Sequence, residues 1–188
     1  MQILSKEEVE RKKDILFGKI KDGAVFIYPT DTIYGIGCSA LDEKAVQKVR
    51  RIKQRPDKPF SIIAPSKNWI SDNCDAKKAG NWLKRLPGPY TLILKLKNKN
   101  AVAKSVNQGI GTIGVRIPDH WISSFVQELG VPIITPSANV SGREVMTTVD
   151  DLDAQLRAHT DFLFDEGERK GSPSKIIDLT GKKEVVLR

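Results

Sequence analysis

The stretch that most constrains this chain is Ala24-Val25-Phe26-Ile27-Tyr28, an unbroken apolar run cut off by Pro29. Such a run reads as a buried strand, and a proline ends it because it has no N–H to give to the ladder. The residues beyond it, Thr30-Asp31-Thr32-Ile33-Tyr34-Gly35-Ile36-Gly37, crowd hydroxyls and backbone N–H groups at the strand's C-terminal end. That suits a small polar ligand; an ordinary turn would use the same residues. The pattern recurs. Pro132-Ile133-Ile134-Thr135 runs into Pro136-Ser137-Ala138-Asn139-Val140-Ser141-Gly142, and Ser172-Pro173-Ser174 introduces Ile176-Ile177-Asp178-Leu179. Polar loops at 30–37, 135–142 and 172–174 are thus placed where they could converge on one rim.

Helices lie between the apolar runs. Ser5-Lys6-Glu7-Glu8 is a capping box that opens a helix over 5–21, with Val9, Leu16 and Ile20 on one face and Gly23 stopping it. Asp42 caps a second helix to about Gln54, whose buried stripe Val46, Val49 continues into Lys53. A lysine there is either a cation at the negative helix end or a side chain reaching over the core edge into a cleft, with Arg55 beside it. Phe60–Ala64 reads as a strand, Lys67–Asn73 as a short helix, and Asp75–Leu86 as another, halted by Pro87-Gly88-Pro89. Tyr90–Lys97 alternates as a strand, and 98–111 is a basic loop.

Gly109-Ile110-Gly111-Thr112-Ile113-Gly114 matches G-x-G-x-x-G, but a polar loop precedes it and Val115-Arg116-Ile117-Pro118 continues as strand. A dinucleotide fingerprint needs a strand before and a helix after, so that reading is rejected. In this strand Thr112, Gly114 and Arg116 share a face that meets either solvent or a binding concavity. Asp119 opens a helix burying Ile122, Phe125, Val126 and Leu129; Thr148 caps one carrying Val149, Leu152 and Leu156; Phe162–Phe164 and Glu184–Leu187 complete the strands. Strands and helices interleave, giving an α/β class in one domain, 1–188, with a mixed sheet that has an antiparallel part.

With 39% apolar and 29% charged residues the chain can bury a core, and its net charge of +8 favours nucleotides, carboxylates or RNA as partners, although charge also serves plain solubility. No apolar run approaches the roughly 20 residues of a membrane span, and no signal-peptide core is present. Cys38 and Cys74 lack metal-ligand spacing, so no metal site is expected from protein residues and a reducing, cytoplasmic setting is. His120 and His159 are the only histidines; neither belongs to a nucleophile-elbow triad, and there is no P-loop. What remains is cations and hydroxyls: Lys53, Arg55, Arg116, Thr30, Thr32, Thr135, Ser137, Asn139 and Ser174. That inventory suits holding anions and positioning reactants, with little acid–base work.

Read together, P-T-D-T-I-Y-G-I-G at 29–37, L-D at 41–42, K-Q-R-P at 53–56, P-G-P-Y-T-L at 87–92, G-V-R-I-P-D-H at 114–120, P-S-A-N-V-S-G at 136–142, P-S-K-I-I-D at 173–178 and the final V-L-R resemble the YrdC-type threonylcarbamoyl-AMP synthases, in the family's order over nearly the whole chain. The resemblance implies a twisted mixed sheet flanked by helices, with a large basic concave surface. It implies formation of L-threonylcarbamoyl-AMP and pyrophosphate from L-threonine, bicarbonate and ATP, usually with Mg2+, for a separate transferase complex that modifies tRNA. By motif match, Lys53 and Arg55 take the catalytic and nucleotide roles, with Ser137 and Asn139 beside the nucleotide. Thr30, Thr32 and Arg116 fall where the family holds threonine and the carbamoyl end, and Thr135 is counted with them. Thr112, Ser174 and Arg188 fall where it contacts threonine or nucleotide. The chain departs from the pattern at Ile62-Ile63-Ala64, where many members have a histidine, and at Ser174-Lys175, where many have Ser-Thr.

The charges explain such a site. Carboxylate, carbamate and triphosphate repel one another, and Lys53 and Arg55 would neutralise them, an arginine by a bidentate fork. Two rivals stand beside this reading. One is a non-catalytic RNA-binding module, whose affinity would fall steeply with salt. The other is the carbamoyl-adenylate-handling domain of hydrogenase maturation.

Overall fold

The computed structural model describes residues 1–181 and 183–187, the side chain of Lys78 apart. Its strands are β1 (Gln2–Leu4), β2 (Phe26–Tyr28), β3 (Gly35–Gly37), β4 (Ser61–Ile63), β5 (Tyr90–Lys95), β6 (Thr112–Arg116), β7 (Ile133–Ile134), β8 (Phe162–Phe164), β9 (Lys175–Asp178) and β10 (Val185–Val186). Its α-helices are α1 (Lys6–Arg11), α2 (Lys13–Lys21), α3 (Glu43–Lys53), α4 (Lys67–Asn73), α5 (Gly80–Lys84), α6 (Lys104–Asn107), α7 (Ile122–Leu129) and α8 (Ala154–His159). Among the described residues no helix is long and apolar enough to cross a membrane.

The strands run in the orders β1-β8-β2-β3 and β10-β9-β5-β6-β4-β7, mixing parallel pairs such as β4–β6 with antiparallel pairs such as β5–β6. This is the mixed, helix-flanked α/β sheet the sequence implies. Backbone bonds splice the two sets edge to edge. Ile36 N–H donates to Pro136 O (2.9 Å), Ala138 N–H to Tyr34 O (2.9 Å), Ile134 N–H to Cys38 O (3.1 Å) and Ala40 N–H to Pro132 O (2.8 Å). The splice lays the loop after β2 beside the loop after β7.

The apolar run around β2 is unbroken because both its faces are covered. Val25 and Ile27 join one core with Val46 and Val49 of α3, while Phe26 and Tyr28 join another with Phe125 of α7, Phe162 and Phe164. Successive strand side chains point to opposite faces, so an apolar layer on each side needs every residue apolar. Full burial of Phe26 alone contributes about 1.5–3 kcal/mol.

Several local expectations need correction. β3 is a strand, not loop: its glycines are there for close approach, since a Cβ on Gly37 would lie 2.7 Å from Ile134 O and 2.8 Å from the Tyr28 ring. The 5–21 helix forms its capping box at Ser5 and Glu8 but steps out of helical geometry at Lys12 (φ −102°, ψ 11°), dividing into α1 and α2. The helix expected over 75–86 is a 3-10 turn at Ala76–Ala79 followed by α5, because Gly80 adopts φ +40° between them. Thr148 does not cap α8. The Asp151 carboxylate takes the Thr147 and Thr148 amides, and Asp153 caps the helix by accepting from Gln155 N–H (2.7 Å). β1 had no sequence signal; it exists because β8 offers a parallel partner.

Candidate functional site

The three polar loops meet around a hollow of about 240 Å³. Thr30, Thr32 and Tyr34 come from the first, Thr135 and Ser137 from the second, and Pro173 and Ser174 from the third; Arg55, Ser61, Thr91 and Arg116 are among the other lining residues. A second hollow of about 390 Å³ adjoins it, lined by Lys53, Arg55, Ser137, Asn139 and Ser141 among others. Arg55 and Ser137 line both.

The first loop is shaped by its own hydroxyls. Thr30 Oγ1 accepts from Thr32 N–H (3.1 Å) and Ile33 N–H (3.3 Å) and donates to Ile33 O (2.7 Å). Its proton committed, Thr30 then accepts from the Thr32 hydroxyl at 2.9 Å, and Thr32 Oγ1 accepts from Arg116 Nη1 at 3.3 Å. Arg116 reaches this point as the last residue of β6, on the face opposite buried Val115. Its other terminal nitrogen pairs with Asp31. Asp31 is the site-adjacent residue that sequence reasoning missed. It lay in plain view between two threonines, but an acid in an anion site attracts no attention until its partner is known.

The second loop is held by Lys53. The α3 stripe carries the lysine inward, leaving it 1% exposed. Its Nζ donates to Ser137 O (2.5 Å), Asn139 O (2.6 Å) and Asn139 Oδ1 (3.2 Å), which occupies all three ammonium protons. Burial, then the neighbouring Arg55 charge, pushes its pKa down to about 7; the three oxygens favour the ammonium. Ser137 Oγ donates to Asn139 Oδ1 (2.6 Å), so the loop side chains are mutually fixed. Arg55 follows α3, half-buried, with its guanidinium 5.5 Å from the Phe60 ring centre.

The third loop closes the hollow from above. Ser174 shares a 2.8 Å hydroxyl bond with Thr91, and Thr91 was not among the expected residues. A Cβ on Gly171 would strike the Thr32 carbonyl, so the chain can cross the first loop only with glycine there. A Cβ on Gly114 would strike Ser61 Oγ and lie 3.3 Å from Thr91 Cγ2, so glycine there lets these two lining residues pack against β6.

The expected residues divide accordingly. Thr30, Thr32, Arg55, Arg116, Thr135, Ser137 and Ser174 line the first hollow, and Lys53 and Asn139 line the second. Thr112 lines neither; it pairs with Lys95 at the far end of β6. Arg188 lies outside the described residues. His120 braces the acidic turn instead of facing the first hollow. Its Nδ1 accepts from Ile122 N–H (3.3 Å), so its proton sits on Nε2 and goes to Glu166 (2.7 Å), and burial holds its pKa below the usual histidine value. Among the described residues no group of three or more His, Cys, Asp or Glu is placed to hold a metal. The arrangement therefore offers cations and hydroxyls to an anion, and little acid or base.

Residues 18–188 match the Sua5/YciO/YrdC family, whose description is telomere recombination. A Methanocaldococcus jannaschii protein provisionally named threonylcarbamoyl-AMP synthase is 43% identical over the whole of this chain and 91% of its own length. The Pyrococcus abyssi threonylcarbamoyl-AMP synthase is 35% identical over 97% of this chain, which spans 55% of that protein. Among solved structures, P. abyssi Sua5 complexed with L-threonine superposes with a TM-score of 0.88 at 33% identity, covering 100% of this chain and 56% of that one. Escherichia coli YciO superposes with a TM-score of 0.83 at 27% identity, over 100% of this chain and 93% of its own.

Proposed function

The chain belongs to the Sua5/YciO/YrdC family, and on that premise we propose that it is an L-threonylcarbamoyladenylate synthase, a nucleotidyltransferase that converts L-threonine, bicarbonate and ATP into threonylcarbamoyl-AMP and pyrophosphate. The observation that carries the reading is the pair of adjoining hollows with Arg55 in their common wall. L-Threonine takes the smaller one, where its carboxylate meets Arg116 and its hydroxyl meets the Thr32, Thr135 and Ser174 side of the lining. ATP takes the larger one, with its phosphates toward Arg55.

The threonine amine adds to bicarbonate with loss of water to form a carbamate, and a carbamate oxygen attacks the α-phosphorus while pyrophosphate leaves. Two anions must approach each other for that step. At about 4 Å their repulsion is about 4 kcal/mol at an effective dielectric constant of 20, and a guanidinium facing both removes it. Lys53 acts by fixing Ser137 and Asn139, the wall against which the nucleotide lies. Asp31 lines neither hollow and Asp57 is the one carboxylate along the larger, so the described lining offers no cage of carboxylates for Mg2+. The ion would arrive on the ATP phosphates, as Mg2+ commonly does, and no step here is assigned to it.

The product is labile and in this reading passes, in the cytoplasm, to a transferase complex acting on tRNA; the net charge of +8 would also suit direct contact with RNA. Pyrophosphate release that requires both bicarbonate and threonine, and falls when serine replaces threonine, is the expected result. Arg55→Ala and Lys53→Ala should each abolish ATP–pyrophosphate exchange. Normal exchange in both variants refutes the assignment, and ATP consumption independent of threonine would favour a carbamoyl-adenylate activity.

A further inference from the structure

Asp31 is largely buried beside the smaller hollow yet does not line it. Its side chain is 10% exposed and that of Arg116 6% exposed. Each carboxylate oxygen has a separate task. Oδ1 pairs with Arg116 Nη2, and Oδ2 accepts from Asp119 N–H at 3.0 Å, at the turn where β6 leads into α7. Thr32 holds the other end of the guanidinium through Nη1. The guanidinium plane is therefore pinned at two points from behind, while Arg116 presents itself to the hollow.

A buried arginine–carboxylate pair carries almost no net charge. Its arginine recognises an anion by the direction of its N–H groups, which match a planar carboxylate, and the pair exerts little long-range pull on phosphate. The Lys53 side is the opposite case, with no carboxylate among the residues bonded to the ammonium. We infer that Asp31 is a positioning and specificity-determining residue: by holding and neutralising Arg116 it makes the smaller hollow a site for a single carboxylate and keeps polyphosphate out of it. The inference rests on reading that hollow as the amino-acid site.

The test is calorimetric titration of the full chain with L-threonine and with L-threoninamide, which lacks the carboxylate, plus competition by pyrophosphate. In Asp31→Asn, L-threonine should bind roughly tenfold more weakly, the scale of a charge-assisted hydrogen bond. Threoninamide should stay within about twofold, and pyrophosphate should begin to displace threonine. In an Arg116→Gln background, adding Asp31→Asn should change the threonine affinity by less than about twofold, because the residue acts through the arginine. The double variant carries no unmatched charge and its reference, Arg116→Gln, keeps the Asp119 N–H bond to Asp31, so the comparison remains a second readout if Asp31→Asn alone does not fold. Equal loss for threonine and threoninamide, unchanged threonine binding, or a further loss in the Arg116→Gln background each overturns the inference. If the wild-type chain binds no threonine, the reading of the site itself fails and the inference with it.

Discussion

Two cations are buried within one site, and they are buried in different ways. Lys53 is solvated by dipoles: two backbone carbonyls and an amide oxygen take its three protons. Arg116 is matched by a full charge on Asp31. Carbonyls satisfy an ammonium without cancelling it, so below its pKa of about 7 Lys53 adds its charge to that of Arg55 at the larger hollow, where Asp57 is the opposing carboxylate; on the Arg116 side a carboxylate cancels the charge and leaves shape and direction. The polyanion and the monocarboxylate of the proposed reaction thus each meet a suitable surface within one small fold.

The difference has measurable consequences. Arg116→Met leaves the largely buried Asp31 carboxylate with the Asp119 N–H but no opposite charge, and should destabilise the protein by up to about 3–5 kcal/mol; adding Asp31→Asn should return much of that, as read by urea denaturation. Lys53→Met leaves only neutral acceptors behind, and the expected loss is smaller, about 1–3 kcal/mol. Equal losses in the two variants would erase the distinction. Lys53 also gives the difference a pH signature. Its folded pKa of about 7 lies below the ordinary lysine value of 10.5. The penalty of burying the ammonium is therefore fully present below about pH 7 and is relieved as pH rises toward 10.5, so wild type should gain stability relative to Lys53→Met across that interval.

Two further substitutions probe the loop that closes the smaller hollow. Gly171→Ala drives a methyl into the Thr32 carbonyl and should cost about 1–3 kcal/mol while raising the threonine KM. Ser174→Ala removes one hydroxyl bond to Thr91, for about 0.5–1.5 kcal/mol, with the denaturant midpoint as the readout.

Much of this was legible beforehand. The β2 run and the α3 stripe ending in Lys53 are local patterns, and the structure places them as those patterns imply; of the Thr/Gly/Arg face of β6, Arg116 is the residue that lines a hollow. Misreadings occurred where a neighbour overrode the local signal. β3 reads as a glycine loop until the Tyr28 ring and the Ile134 carbonyl are known to press against it. β1 reads as a tail until β8 is beside it. For Lys53 the sequence left a helix-end cation and a side chain reaching into a cleft both open; the structure puts it in the lining of the larger hollow with its protons on Ser137 and Asn139.

From the order of residues alone came the class of fold, the cations and hydroxyls available, and the loops that carry them, because periodicity, capping and turn chemistry act over a few positions. What tertiary structure decided was which charge faces which. Asp31 and Arg116 stand 85 positions apart, and Lys53 and Asn139 stand 86 apart. Only folding brings such groups within hydrogen-bonding distance, and that juxtaposition settles whether a buried cation remains a charge or becomes a template.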